Sequence, residues 1–225
     1  MLALPSLGTH LPNETFRISC ALRLGCDICQ PHKCPCGAEV TAKGHHGLSC
    51  RKSQGRWSRH GAANDIIARA LLSAGVPTLK EPPGCSNTDG KRPDGLTLIP
   101  WKRGKSLVWD LSTCVDTFAP SYLNDTSLRV GSAAAAAEER KKNFYAFLTP
   151  RFIFTPVAME TSGIFGAEGI RFLCEIVRRI AELTEELRST SFLIQRMSIA
   201  VQRGNTASIL GTLPAGKELE ELFLL

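Results

Sequence analysis

Two aspartates in KRPDGLTLIPWKRGKSLVWDLSTC, residues 91–114, have the type and spacing to act together. Asp94 follows a proline, and Asp110 lies within the apolar run 107–111, which predicts a buried strand. A lone buried carboxylate costs on the order of several kcal/mol unless it is paired, neutralised or bound to a metal. Because side chains alternate along a strand, Asp110 points away from Trp109 and can meet Asp94 if the two strands are neighbours. Two facing carboxylates repel each other, so the pair predicts a divalent cation, and Mg²⁺ suits such oxygen ligands.

A second set of candidate ligands lies in CPCGAEVTAKGHHGLSC, residues 34–50. Thiolates and imidazoles suit Zn²⁺, and a structural zinc site takes four of them in a tetrahedron. The predicted ligands are Cys34, Cys36, Cys50 and one of His45 and His46, with His46 preferred. Three neighbours could substitute for one of these or build a second site: Cys26, Cys29 and His32. The alternative is a metal-free loop of ordinary reduced cysteines.

The charge of the chain permits a nucleic-acid partner. The 225 residues carry a formal net charge of +6, with a pI near 8.9. From the basic cluster at the start of the first long helical pattern we assign four residues to contacts with DNA phosphates: Lys52, Arg56, Arg59 and His60. A plain solvated basic face would have the same composition. No apolar run approaches the about 20 residues of a membrane span, so no membrane partner is expected.

The rest of the sequence predicts the elements that must position these residues. Apolar pairs recurring every four residues predict a helix over 55–76. Three short strands are predicted over 76–81, 92–99 and 106–113. A helix with Ser132 as N-cap, a fourth strand over 151–161 and two further helices follow. This order predicts the α/β class, with a mixed sheet flanked by helices and a small Cys/His module in front.

The aspartate pair resembles the active-site pattern of the PD-(D/E)xK nuclease superfamily, with Asp94 from RPD and Asp110 from VWDLS. The resemblance implies that both aspartates ligate Mg²⁺ and that a lysine two residues after the second acid holds the attacking water. Ser112 occupies that position in this chain. In some branches of the superfamily the lysine comes from the following helix, which here offers Lys141 and Lys142.

The choice between the two lysines rests on their helical neighbours. Tyr145 lies one turn after either lysine and shares a side with both. Lys142 is preferred, because Glu138 one turn earlier could pair with it and hold it in place.

The order of the parts resembles the restriction-like endonuclease region of site-specific non-LTR retrotransposons. That region has a Cys/His knuckle, a GRxxRHN-like helix start (here GRWSRHGAAND), then RPD…D, then a helix with Lys and Tyr. The resemblance covers roughly residues 34–166 and implies a restriction-endonuclease-like sheet, with a reverse transcriptase region elsewhere in a longer polyprotein. The predicted segments are a remnant or linker over 1–25, a zinc knuckle over 26–55, a nuclease domain over 56–205 and a C-terminal tail over 206–225.

Four further acidic residues need an assignment. Asp65 or Glu81 could be the additional acid that many such nucleases use, with Asp65 preferred and a solvated helix face as its alternative. Asp116 shares the strand face of Asp110 if the strand continues, but is expected to cap a turn. Glu160 ends an apolar strand at the level of a possible site, but is expected to approach a helix end.

These observations predict a metal-dependent DNA endonuclease domain that nicks its target, located in the nucleus or cytoplasm rather than secreted. The rival hypothesis is a non-catalytic, zinc-stabilised relic of a mobile element that binds DNA or possibly RNA. Ser112 in place of a lysine favours the rival. The convergence of Asp94, Asp110 and a lysine ammonium would favour the nuclease.

Overall fold

The computed structural model describes residues 9–53, 55–86, 90–186 and 188–214 and shows a mixed α/β protein. Its helices are α1 Asn13–Leu24, α2 His46–Ser49, α3 Gly55–Ser73, α4 Pro120–Leu128, α5 Ser132–Phe144, α6 Ala167–Thr184 and α7 Ser189–Leu210. Its strands are β1 His32–Lys33, β2 Glu39–Val40, β3 Thr78–Lys80, β4 Gly95–Thr97, β5 Leu107–Val115 and β6 Ile153–Glu160. A short 3-10 helix, Ala146–Leu148, follows α5. Within these ranges no helix combines the length and the apolar character that a membrane crossing needs.

The main sheet runs in the order β3, β4, β5, β6 through the described part of the chain. Strand β4 pairs antiparallel with both β3 and β5, whereas β5 and β6 run parallel. A parallel pair needs a crossover connection, and α5 packs on both strands as that crossover. The prediction of a mixed sheet flanked by helices is therefore confirmed.

The alternation along β5 divides the core into two layers. Trp109 and Leu111 face α3, α6 and α7 and belong to the largest hydrophobic cluster. Val108 faces the opposite layer, which Tyr145 closes just after α5. Asp110 lies on this second face and is 4% exposed. The carboxylate is thus placed in the core by the same alternation that buries its apolar neighbours.

Helix α5 begins at Ser132 without the serine side-chain cap that the sequence predicted. The carboxylate of Glu160, at the end of β6, instead accepts hydrogen bonds from the N–H groups of Ala133 and Ala134 at 3.1 and 3.2 Å. A carboxylate both satisfies these N–H groups and complements the positive end of the helix dipole. The expectation that Glu160 approaches a helix end is confirmed.

The cysteine-rich segment forms a second, smaller core. Strands β1 and β2 make a hairpin, and α1 packs beside them through Ile18, in a stretch for which the sequence predicted no element. The last turn of α7 enters the same core with Ile209, inside the segment 206–225 that the sequence assigned to a tail. Gly47 permits this approach, because a Cβ there would lie 2.8 Å from the Ile209 Cα. Helix α7 therefore packs against both cores.

The connection from β5 to α5 turns at Asp116. Its carboxylate accepts a hydrogen bond from the Phe118 N–H group at 3.0 Å, as in an Asx-turn. This bond confirms that Asp116 caps a turn. Helix α4 follows with a proline in its first turn, where the missing N–H group costs nothing.

Candidate functional site

The aspartate pair lies where β4 begins and β5 passes through the centre of the sheet. Gly95 pairs with Trp109 across the antiparallel ladder, so the next two opposed residues are Asp94 and Asp110. A Cβ on Gly95 would lie 2.0 Å from the Trp109 ring, so only glycine lets the indole lie over β4. The Nε1 group of Trp109 donates to the Asn64 Oδ1 at 2.9 Å and so ties the strand to α3.

Two basic side chains complete the cluster. The Lys141 Nζ donates to the Asp110 Oδ2 at 2.8 Å from α5. The His60 Nε2 lies 2.8 Å from the Asp94 Oδ1, on the opposite side of the pair. The Leu111 N–H group donates to the Asp94 Oδ2 at 2.5 Å. Two acids, a lysine and a histidine from separate parts of the chain thus converge at one end of the sheet.

The two carboxyl groups have opposite pKa shifts. Burial, together with the charge and hydrogen bond of Asp94, raises the pKa of Asp110 to about 6 despite the attraction of Lys141. Burial also disfavours the Asp94 anion, but His60, the Leu111 N–H group and a hydrogen bond with Asp110 outweigh it, so the pKa of Asp94 is lowered. The hydrogen bond with Asp94 raises the pKa of His60. Below about pH 6 the pair therefore shares one proton, carried by Asp110.

Of the two candidate lysines, Lys141 faces the pair and Lys142 does not. The Lys142 Nζ lies 2.6 Å from the Glu168 Oε1. The expected pairing of Lys142 with Glu138 is replaced, because the Glu138 carboxylate accepts hydrogen bonds from the N–H groups of Glu168 and Gly169 at 3.0 and 2.8 Å. Adjacent helical residues point about 100° apart, so the rotation of α5 turns one lysine to the sheet and the other to α6.

The two candidates for an additional acid differ in position. Asp65 forms an ion pair with Lys80 on β3. Glu81 is exposed and adjoins Asp94 through the backbone, because its N–H group donates to the Asp94 carbonyl oxygen at 3.1 Å. Its φ of 45° is uncommon for a residue with a side chain. Of the two candidate acids, Glu81 is thus the one that borders the aspartate pair. Ser112, two residues after Asp110, is half-buried.

The cysteine-rich core brings four predicted zinc ligands together. The ligand atoms of Cys34, Cys36, His46 and Cys50 all lie within 4.8 Å of one another. The sulfurs of Cys34 and Cys50 are 3.8 Å apart, and the Cys36 Sγ lies 3.2 Å from the His46 Nε2. A tetrahedral zinc with Zn–S bonds of about 2.3 Å needs sulfurs about 3.8 Å apart. The group could therefore hold zinc, and in the described ranges it is the one group of three or more such side chains that could hold a metal.

The thiols of this group are unequal in acidity. Burial raises the pKa of Cys34 to about 11. A hydrogen bond from the backbone N–H group of Ala38, together with the thiol of Cys34, lowers the pKa of Cys36 to about 6. Cys36 is thus more acidic than Cys34, and binding of zinc would displace a proton from the Cys34 thiol.

The second histidine, His45, lies outside the ligand group. Its ring stacks on Phe118 with the ring centroids 4.0 Å apart. Cys50 directly follows α2 and lies one turn after His46, whereas His45, directly before α2, is rotated from His46 by about 100°. The preference for His46 over His45 agrees with this arrangement.

The other cysteine-region candidates have different partners. The thiol of Cys29 donates to the carbonyl oxygen of Thr41 at 3.6 Å, and burial raises its pKa. The His32 Nε2 lies 3.0 Å from the Thr212 hydroxyl oxygen. Cys26 is exposed. These residues build no second metal group among the residues that the structure describes.

The fold does not bring the predicted phosphate-binding residues together on one surface. Lys52 is exposed, but Arg59 is only 2% exposed, and its NH1 group donates to the Asn205 Oδ1 at 2.8 Å. Helix α7 covers Arg59, so this residue does not lie on the expected surface. The side chain of Arg56 lies outside what the structure describes. His60, assigned to phosphate contact from the sequence, contacts Asp94.

Sequence reasoning did not assign His60 and Asn64 as supports of the aspartate pair. They are four residues apart on α3 and face the same side. Asn64 binds Trp109 and also donates to the Asp94 carbonyl oxygen at 3.5 Å. The spacing of polar residues in RHGAAND was the available signal, but a helical face does not reveal which strand it meets.

Comparison of the sequence with protein-family models and with curated proteins gives no match.

Proposed function

We propose that this chain is a metal-dependent endonuclease domain with a restriction-like fold, which hydrolyses phosphodiester bonds in DNA and leaves a nicked strand. The observation that carries the proposal is the convergence of Asp94, Asp110 and Lys141, with the lysine Nζ 2.8 Å from the Asp110 carboxylate. These are the residue types that the resemblance to PD-(D/E)xK nucleases requires. Lys141 reaches the pair from the following helix and so compensates for Ser112.

Asp94 and Asp110 would hold Mg²⁺. The fit rests on two opposed carboxyl groups, one of which keeps a proton up to about pH 6 because it is buried beside the other. A bound cation would reduce the repulsion between the two carboxylates, as the proton on Asp110 does in its absence. When bound, Mg²⁺ would supply Lewis-acid polarisation of the phosphate and a lowered pKa for a water molecule.

The residues of the chain have separate roles in this reaction. The water oxygen bonds to phosphorus and gives up one proton as the bond from phosphorus to one ester oxygen breaks. The departing oxygen takes up one proton from solvent, so the net proton count is unchanged and the products are a phosphate end and a hydroxyl end. Lys141 offsets the negative charge that develops on the phosphate oxygens. His60 orients Asp94 through its hydrogen bond, and Asp110 in turn holds the Lys141 ammonium in place.

The Cys/His group would bind one structural zinc and stabilise the second core. The order of the parts, with this module ahead of the aspartate pair, supports descent from a non-LTR retrotransposon. A reverse transcriptase region of the same polyprotein would then be the partner, with DNA, and possibly RNA, as the nucleic acid in the nucleus or cytoplasm.

The test is nicking of supercoiled plasmid in the presence of Mg²⁺ or Mn²⁺. The wild-type protein should convert supercoiled plasmid to the open circular form only when a divalent cation is present. Asp94→Asn and Asp110→Asn should abolish nicking and leave DNA binding intact or tighter, because each removes a negative charge. Lys141→Ala should slow nicking by roughly 100-fold or more, the size of effect seen when one charge-stabilising donor is lost. Lys142→Ala is the matched control on the same helix and should nick normally.

The relic hypothesis predicts a different result. Such a protein would bind plasmid without nicking it under any divalent cation. If the wild-type protein binds DNA but, like Asp110→Asn, does not nick plasmid, the endonuclease proposal is overturned in favour of the relic.

A further inference from the structure

Trp57 is a large side chain that the proposed function does not yet use. It lies in the first turn of α3 and is 80% exposed. The other two tryptophans are less accessible, since Trp109 is 0% exposed and Trp101 is half-buried, with the guanidinium of Arg179 3.6 Å from its ring. Tryptophan is on average a well-buried residue, and an indole left in water is a frequent contact group for a partner.

The position of Trp57 places it beside the aspartate pair. Trp57 and His60 are three residues apart on α3, so their Cβ atoms are neighbours about 5–6 Å apart. His60 in turn contacts Asp94 at 2.8 Å. Gly61, also on this side of the helix, would have open space around a Cβ. Position 61 therefore carries no side chain that would separate the Trp57 indole from a nucleic-acid strand lying across the aspartate pair.

Exposed basic residues adjoin Trp57 and Asp94 in the sequence and suit a phosphate backbone. Arg51 and Lys52 are exposed just before α3. Lys91 and Arg92 are exposed just before Asp94. A nucleic-acid strand that reaches the aspartate pair can therefore meet cations from two separate segments of the chain.

We propose that Trp57 stacks on an unpaired base next to the scissile phosphate, so that the substrate is single-stranded or locally opened DNA. This inference rests on the proposed function, because it names the substrate of the same site. Bases inside a duplex have both faces covered by their neighbours, so an indole can stack only where a base has left the stack. Stacking tolerates any sequence, because every base has a π-face.

The first test measures tryptophan fluorescence during titration with short oligonucleotides in buffer without magnesium or manganese. A single strand, and a duplex with an unpaired bubble, should quench the emission of the wild-type protein more than the fully paired duplex does. Most of the quench should be lost in Trp57→Phe, because Trp109 is buried and Trp101 is half-buried under the Arg179 guanidinium. Trp57→Ala should weaken single-strand binding by roughly 5- to 150-fold, the equivalent of one lost base stack, with little change for the duplex.

Phe16→Ala is the control, because Phe16 is a 60% exposed aromatic residue on α1. This variant should bind the single strand like the wild type. An unchanged wild-type fluorescence in a protein that nicks plasmid would overturn the inference and leave the endonuclease proposal intact. Equal weakening of single-strand and duplex binding by Trp57→Ala would also overturn it. A quench that depends on Trp57 in a protein that never nicks would support base stacking and reject the endonuclease.

Discussion

The carboxyl group of Asp110 balances two opposing influences, burial in the core and the ammonium of Lys141. Burial has the larger effect, and the pKa of Asp110 is raised to about 6. The folded protein therefore binds a proton at Asp110 more tightly than the unfolded chain does. Without a cation, ionisation of this residue lowers the stability of the fold, as is common where a site is shaped for binding.

We predict that Asp110→Asn is more stable than the wild type at pH 8 in magnesium-free buffer. Stability from a raised carboxyl pKa is fully present below the unfolded value, near 4, and is lost as pH rises through about 6. The asparagine keeps the shape without the charge, so the gain at pH 8 should be on the order of 2 kcal/mol and should shrink as pH falls towards 4. Urea unfolding at both pH values measures it.

Asp65→Asn is the control for this measurement. It removes an exposed ion pair with Lys80 and should change the free energy of unfolding by less than about 1 kcal/mol at either pH. If Asp110→Asn were less stable than the wild type at pH 8, the attraction of Lys141 would outweigh burial and the direction of the shift would be wrong.

At the scale of elements, the one-turn helix α2 selects the zinc ligands. His46 at its start and Cys50 immediately after its end join Cys34 and Cys36 in the ligand group, and His45 stacks on Phe118. The helix thus offers one histidine to the ligand group and the other to the connection after β5.

We predict that the purified wild-type protein contains about one zinc per chain, as a four-ligand site requires. His46→Ala and Cys50→Ser should lose most of this zinc, because three ligands leave the tetrahedron incomplete. His45→Ala and Cys26→Ser should keep it, since both residues lie outside the group. Metal analysis by mass spectrometry decides the matter, and a zinc content lost in His45→Ala but retained in His46→Ala would reverse the assignment.

At the scale of the whole molecule, α7 joins the two cores. Its middle packs on α3, where a Cβ at Gly204 would lie 2.5 Å from the Arg59 side chain. Asn205 accepts from Arg59 and donates to the Thr161 carbonyl oxygen at 2.8 Å. Its end enters the cysteine-rich core with Ile209. Arg59 is therefore part of the packing between helices, although the sequence alone assigned it to DNA.

We predict that Arg59→Ala lowers the free energy of unfolding by roughly 2–4 kcal/mol, because it leaves a cavity and an acceptor on Asn205 without this donor. The salt dependence of DNA binding should keep its slope, since Arg59 contacts protein rather than phosphate. Arg51→Ala, at an exposed position, should leave stability unchanged and flatten the slope by about one unit if it meets a phosphate. A flattened slope with normal stability in Arg59→Ala would restore the surface assignment.

The sequence by itself determined the features that depend on local pattern and chemistry. Strand alternation put Asp110 opposite Trp109 and buried it, and the helix-strand order predicted a mixed α/β sheet. The donor types in residues 34–50 indicated zinc chemistry. Each of these conclusions follows from periodicity or from side-chain type, which can be read within a few residues.

Only the tertiary structure decided which of several equivalent side chains meets which partner. It turned Lys141 rather than Lys142 to the sheet, brought Glu138 to the start of α6 and buried Arg59 under α7. These outcomes depend on how far each helix is rotated about its axis and on what packs against it. Such contacts join residues that are far apart in the chain, 31 positions for Lys141 and Asp110 and 146 for Arg59 and Asn205, and no local pattern encodes them.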